Sequence, residues 1–437
     1  MTYISKIKSY INTIFNSNSE KAIFKNMLKL LTGEGIGRVI GMITTPIITR
    51  IYLPSDMGVL SVFASLVAIL APFGTFRYSI AIPLPKNDII ASNLAVLSFF
   101  ILIISSSLIF LVLFIFGEPI LNTFSMESII TYWWLVPLVV FGSGVFEIIS
   151  QWAVRKRSFT ALTKTHISQK IIGVITKIGL GLINIKPLGL LIGDAMSQIG
   201  GIGSLVSHFR NDIGTYKKSI SLKKIVYNAK KYIIFPKFRV PAQFLLLLSG
   251  NIPILFFAWN FDGATTGQIG LATTFLSIPI TLISRSIGKA YYSEIASFDR
   301  RDSTEIVTLT KRIMSKLLKL SIIPFLIILV FGPWCFKVFF GHEWYQAGIF
   351  ARVMSIYLIA RFVYSPISEG LFNVFEKQSY LLILEITRFM IILSIFFCAY
   401  IFNWTPLFTI GIYSIGLALQ YILSILIVFR IMHQNEQ

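Results

Sequence analysis

The stretch "RIYLPSDMGVLSVFASLVAILAPFGTFRYSIAIPLPK", residues 50–86, is an apolar run of membrane-crossing length with an arginine at each end, Arg50 and Arg77, and an internal proline, Pro72. A second stretch, "NFDGATTGQIGLATTFLSIPITLISRSIGKAYYSEIAS", residues 260–297, repeats its punctuation of polar turn, glycine, apolar span with an inner proline, and closing arginine. Gly58 corresponds to Gly267, while Pro72 falls near the place of Pro279 and Arg77 near that of Arg285. The spans just before each turn agree as well, with Pro46 and Pro253 in matching places. Internal symmetry of this kind marks a membrane protein built from two related halves.

Working outward, runs of about 20 apolar residues, enough to cross the hydrocarbon layer, fall near 27–50, 58–76, 90–116, 128–151, 166–184, 188–209, 235–259, 267–285, 313–334, 345–372, 379–402 and 406–430. The longest polar interruption, 210–234, divides these twelve spans into six and six. The expected organisation is therefore an amphipathic lead over 1–26, a first lobe over 27–209, a linker over 210–234, a second lobe over 235–430 and a tail over 431–437. Six crossings bring the chain back to its starting side, so the halves are parallel repeats about an axis along the membrane normal, and a substrate cavity is expected between them.

Of the 437 residues, 55% are hydrophobic and only 13% charged, against about 25% charged in soluble domains. Large soluble domains have no room. Lys6, Lys8, Lys21, Lys25 and Lys29, then Arg77 and Lys86, Arg155 to Arg157 with Lys164, Lys217, Lys223 and Lys230, and the 300–319 stretch gather on one set of loops. The opposite loops hold chiefly Lys186 and Lys337 beside Glu118, Glu127 and Asp262. This asymmetry places both termini in the cytoplasm. It also accounts for the net charge of +20 as orientation and contact with anionic headgroups, with no nucleic-acid partner. The lead lacks the apolar core and cleavage site of a signal peptide. Cys335 and Cys398 read as buried apolar thiols, and the four histidines have no ligand spacing, so no metal, cofactor or catalytic thiol is expected.

Cations inside spans are the informative residues, because each costs roughly 2.5–3.5 kcal/mol at the centre of a membrane helix and so faces protein or water. Arg38 shares a stripe with Glu34 and Thr45, with Gly33, Gly37 and Gly41 beside it for close helix packing. Glu34, one turn away, is either its charge partner or a separate cavity residue. Lys170, Lys177 and Asn184 recur every seven residues with Gly173 and Gly181 and no acid on the same helix. Lys170 is placed to snorkel to the inner surface, whereas Lys177 lies too deep for that and is expected to line a cavity. In the tenth span Tyr357, Arg361, Tyr364, Ser365 and Ser368 form one polar face, with Glu369 two turns on as a candidate partner for Arg361 and Arg352 on the opposite side. Glu385 and Arg388 are spaced as a local pair. Arg50, Arg77 and Arg285 mark span ends and are candidate guards of the cavity mouths. Glu147 and Asp194 either pair with cations of other spans or carry a coupling proton. Prolines 46, 72, 137, 253, 279, 324 and 366 break hydrogen bonds within spans, giving bends suited to rocking.

The segments "TPIITRIYLPSDMGVLSVFASLVAILAPFGTFRYSIAIPLPK", "RKRSF", "GLLIGDAMSQIGG", "FPKFRVPAQFLLLLSGNIPILFF" and "GQIGLATTFLSIP" occur in this order along the chain. Together they resemble the O-antigen (Wzx-type) oligosaccharide flippases, over roughly residues 26–430. The resemblance implies an all-α, polytopic, MATE-like fold of about twelve transmembrane helices in two pseudo-symmetric six-helix lobes. It implies a bacterial inner-membrane transporter, not an enzyme, that moves an undecaprenyl-pyrophosphate-type lipid-linked oligosaccharide to the periplasmic leaflet, alongside polysaccharide polymerase machinery. Arg38, Lys177 and Arg361, with Arg352, Arg50, Arg77 and Arg285, are the candidate pyrophosphate ligands. Arg361 and Lys177 are expected to share one anion site between the lobes. A polymerase or glycosyltransferase would need a substantial catalytic loop, which is missing. A MATE-like drug or ion exporter, the alternative transporter, would favour acidic residues in its cavity.

Overall fold

The computed structural model describes residues 18–123, 130–217, 219–295, 303–375 and 377–434. Most of the lead and the last residues of the tail lie outside this set. Among the described residues there is no strand. The first lobe is built from α1 (Asn18–Ile51), α2 (Pro54–Gly74), α3 (Asp88–Thr123), α4 (Leu135–Arg155), α5 (Phe159–Leu182), α6 (Leu188–Ile199) and α7 (Ile202–His208). Two short helices follow, α8 (Arg210–Lys217) and α9 (Leu222–Lys231). The second lobe contains α10 (Val240–Asn260), α11 (Gly263–Ile295), α12 (Ser303–Phe340), α13 (Tyr345–Val374), α14 (Gln378–Ile401) and α15 (Pro406–Gln434).

Ten spans in the described residues are long and apolar enough to cross a membrane, α6 and α7 counting together as one. The two long helices outside that set, α1 and α5, are those carrying Arg38 and the Lys170–Lys177 pair. Lipid-facing α3, α12 and α14 are largely exposed, as outer helices must be when lipid covers them. Span six, expected as one helix over 188–209, is broken at Gly200–Gly201, where Gly201 adopts a left-handed φ of 87° that residues with a side chain avoid. Pro137 is a further departure. It lies in the first turn of α4, where no intrahelical bond is lost, so it does not bend its span. The two cysteines are free and half-buried, not fully buried.

The equivalent helices of the two repeats, α2 and α11, cross at the pseudo-symmetry axis. A Cβ built on Gly58 would stand 2.0 Å from the Gly263 carbonyl oxygen, and one on Gly267 only 1.8 Å from that of Pro54. The glycines matched in the sequence repeat thus meet each other, as symmetry mates near a two-fold axis do. At this end the lobes are sealed further. Buried Trp344 donates its indole N–H to the Thr49 carbonyl of the first lobe at 2.9 Å, and within the second lobe the Gln268 amide braces the Trp344 turn by spanning the Glu343 carbonyl and the Ala347 N–H at 2.6 and 2.7 Å. Arg50 belongs to the same end, its guanidinium 3.4 Å from the Val338 carbonyl.

The other end of the first lobe carries the linker. Asn93 accepts from the Ser221 N–H and donates to the Ser219 carbonyl, Asn228 donates to Ile90, and the Tyr78 hydroxyl donates to Ala229. Asp88 collects Arg155 at 2.6 Å, Lys156 at 2.8 Å and the Tyr216 hydroxyl at 2.8 Å, while Trp152 donates to Asp212 at 3.0 Å. Burial alone pulls the Lys156 ammonium down, but its hydrogen bond to Asp88 and the nearby Asp212 carboxylate outweigh this and leave it above its ordinary 10.5. The hydrogen bond to Asp88 likewise lifts the Tyr216 phenol above 10.0. Both groups hold their protons more tightly folded than unfolded, so their contribution is complete below about pH 10 and is lost as pH rises through the folded values. The melting temperature in detergent should accordingly fall above about pH 10, and less steeply in a Lys156→Met/Tyr216→Phe variant. Equal slopes for the two proteins would show that this cluster does not hold the linker.

Candidate functional site: a basic cavity between the lobes

α2 packs along α10, with the Phe73 and Phe244 rings 5.4 Å apart. The symmetry-equivalent pair, α11 and α1, meets only in part, with Leu282 against Gly35, and a cavity of about 570 Å³ opens beside that contact. The cavity arises where the pseudo-symmetry is broken. Its walls come from α1, α5 and α6 of the first lobe and α11 of the second.

Glycines shape the first-lobe wall. Lys170 lies across Gly37, where a Cβ would meet its Cγ at 2.9 Å, whereas Gly41 has nothing within 4 Å and leaves room. α5 and α6 cross through Gly173 and Gly193. A Cβ on Gly173 would strike Ser197 at 2.6 Å, and one on Gly193 would strike the Lys177 side chain at 2.2 Å. This close crossing lets Lys177 reach Asp194, Nζ to Oδ1 at 3.1 Å, with the two side chains 15% and 19% exposed. Gln198 donates to the other Asp194 oxygen at 3.0 Å, and Lys170 donates to the Ser197 carbonyl at 3.3 Å. The Tyr52 hydroxyl donates to the Lys177 carbonyl at 2.8 Å, tying the α5 backbone to the sealed end. Arg38, His166 and Arg285 complete the polar lining. Thr44 and Thr45 donate back to carbonyls of their own helix and keep oxygen lone pairs free to face the cavity.

Among the described residues the lining carries four basic side chains, Arg38, Lys170, Lys177 and Arg285, against the single carboxylate of Asp194. Lys177 pairs with Asp194, and basic side chains predominate in the described lining. Such a cavity can hold a phosphate-bearing group through charge-assisted hydrogen bonds while hydroxyl groups contact the threonines.

The sequence candidates fall into separate places. Arg38, Lys177, Arg285 and Asp194 share the cavity. Arg77 is not among the lining residues and pairs with Glu147 at 3.0 Å inside the first lobe. Arg352 turns toward α12, donating to the Val330 carbonyl at 2.9 Å. Arg361 is also absent from the lining. The polar face of α13 is turned into the second lobe, where Tyr357, Tyr413, Tyr421 and Arg388 surround it, and Arg388 makes its ion pair with Glu385. Arg361 and Lys177 therefore do not meet in one site in this structure, because the helix faces that carry them point into different lobes. The side chains of Glu34 and Glu369 lie outside the described residues.

Two lining residues escaped the sequence reading, Lys170 and His166. Lys170 is near enough to its helix end to suggest snorkelling, and His166 has no ligand spacing. The signal available was the i, i+4, i+7 spacing that sets His166, Lys170 and Gly173 on one face of α5, and it needs the neighbouring helix to be interpreted.

Residues 47–348 match the profile of a family described as polysaccharide biosynthesis proteins. The chain belongs to that family. The match covers most of the chain and bears out the resemblance drawn from the quoted segments. No curated protein matches it in sequence. Solved structures share the fold of these family residues and of the remainder. The lipid II flippase MurJ in an inward closed conformation superposes with a TM-score of 0.67 at 14% identity, over 94% of this chain and 90% of that one. A MOP-superfamily transporter from Pyrococcus furiosus, described as having a binding pocket of reversed polarity, superposes with a TM-score of 0.59 at 14% identity, covering 96% and 97%. An inward-facing multidrug resistance MATE transporter gives 0.59 at 12% identity, covering 93% and 95%. This member of the polysaccharide biosynthesis family thus has the all-helical, two-lobed transporter fold expected for it and is a multi-pass membrane protein.

Proposed function

We propose that this protein is a flippase for a polyprenyl-pyrophosphate-linked oligosaccharide, translocating the unit between leaflets for O-antigen or other surface polysaccharide assembly. The observation that carries this reading is the predominance of basic side chains among the described residues lining the cavity between the lobes of a polysaccharide biosynthesis family member. A pyrophosphate loses its hydration on entering a cavity, and guanidinium and ammonium groups replace the lost water contacts. The lipid tail stays in the bilayer while sugars contact Thr44, Thr45 and Thr274. Arg38, Lys177 and Arg285 act as the anion ligands, joined by Lys170, and Asp194 holds Lys177 until the anion arrives. MurJ, named as a lipid II flippase, supports the lipid-linked class by likeness of fold. A drug or ion exporter taking cations is disfavoured by the sign of the cavity.

The cycle is alternating access between the lobes 27–209 and 235–430, with no covalent step. The sealed end, where Gly58, Gly267 and Trp344 meet, faces the periplasm of the bacterial inner membrane, and both termini are cytoplasmic, on the charge asymmetry of the loops. The polymerase machinery that consumes the flipped unit works on that far side. The test is reconstitution into liposomes with a fluorescent polyprenyl-pyrophosphate oligosaccharide, scored by protection of the label from an impermeant quencher. Protein-dependent translocation that is competed by the matching unlabelled lipid is expected. Equal label movement in protein-free and protein-containing vesicles, across oligosaccharides and ion gradients, would sink the proposal.

A further inference from the structure

α9 presents three kinds of surface. Ile225, Asn228 and Ala229 face the first lobe, with Asn228 fully buried and bonded to the Ile90 carbonyl. Next around the helix come Leu222 and Val226, 78% and 50% exposed, continued past the helix end by exposed Ile233, Ile234 and Phe238. Beyond these lie exposed Lys223, Lys224, Lys230 and Lys231, followed by exposed Lys237 and Arg239. No Asp or Glu occurs between Asp212 and Asp262, so this cationic run has no local counter-charge.

The height of α9 is set by its partners. Ile90 and Asn93, which hold it and the turn before it, lie in the first turns of α3, a membrane-crossing helix. The exposed apolar residues of α9 therefore stand where a span leaves the bilayer. An apolar strip bordered by unpaired lysines at that height fits the boundary between acyl chains and anionic headgroups. We propose that α9 and the turn after it are a docking surface for anionic phospholipid of the adjoining leaflet. Leu222, Val226, Ile233 and Phe238 enter the acyl boundary, and Lys223 and Lys230, which flank the strip, reach the lipid phosphates. The chain runs from α9 through Phe235–Arg239 directly into α10. Lipid held here consequently anchors the crossover from one lobe to the next.

The test uses the full chain in nanodiscs of phosphatidylcholine alone or of phosphatidylcholine mixed with phosphatidylglycerol, with hydrogen–deuterium exchange followed over residues 222–238. Each lysine at an anionic surface is worth about fivefold in binding, so exchange in the anionic discs should be at least about fivefold slower. High salt should return it toward the neutral-disc rate. A Lys223→Gln/Lys230→Gln variant should lose most of the difference between disc types while keeping its melting temperature, since both side chains are exposed. Equal exchange in the two disc types, a difference that survives in this variant, or protection that appears only when a soluble protein fraction is added would each overturn the proposal. Because no transport is measured, failure here leaves the flippase reading standing, and the converse holds.

Discussion

Replacing Lys177 by glutamate is expected to abolish surface polysaccharide in a strain that depends on this protein, with the amount of membrane-inserted protein unchanged. Lys177 lies 3.1 Å from Asp194, so the Lys177→Glu change sets two carboxylates face to face, and like charges that close cost several kcal/mol. It also reverses the sign of one of the four basic side chains in the described lining. At about 1.4 kcal/mol per tenfold, a loss of at least about 100-fold in transport is expected. The Lys177→Glu/Asp194→Lys exchange restores both the ion pair and the net charge of the cavity, and it should recover a large part of the activity. Full activity in Lys177→Gln together with an inactive exchange variant would remove Lys177 from the anion site.

A Gly267→Val change is expected to be as severe, for a steric reason. The Cβ would stand 1.8 Å from the Pro54 carbonyl oxygen and 2.7 Å from the Gly58 nitrogen. These are backbone atoms and cannot rotate away, so α2 and α11 must separate, at a cost on the order of 3 kcal/mol. Separation withdraws Trp344 from the Thr49 carbonyl and opens the sealed end. In a background lacking Cys335 and Cys398, a Thr49→Cys probe, buried in the parent protein, should then react with a bulky thiol reagent, and transport should cease. Normal transport with the probe still protected would mean that the seal does not depend on this crossing.

Much of the architecture is legible in the chain alone, because a membrane imposes a one-dimensional record on it. Every span must be apolar over a set length, and the internal repeat shows itself as glycines, prolines and arginines in matched order. The equivalence of Gly58 and Gly267 was readable in the chain, though not their contact, and so was the local pair of Glu385 and Arg388, three residues apart on one helix. Helix interruptions were less so. The break at Gly201 depends on a backbone conformation that glycine permits but does not require.

The candidate site divides along the same line. That Arg38 and Lys177 must avoid lipid follows from the cost of a buried cation, and that holds for Arg361 and Arg352 equally. The sequence by itself determined which residues need shelter, the two-lobed helical fold and the surplus of positive charge. Which shelter each residue finds was decided by packing between segments far apart in the chain. Asp194 reaches Lys177 because Gly173 and Gly193 let two helices cross closely, Glu147 pairs with Arg77 inside the first lobe, and the tyrosines of the second lobe enclose Arg361. The cavity itself exists because α1 and α11 touch along a shorter stretch than their symmetry mates α10 and α2. A difference between two nearly equivalent interfaces is a property of how the lobes are set against each other, and helical periodicity within one segment carries no trace of it.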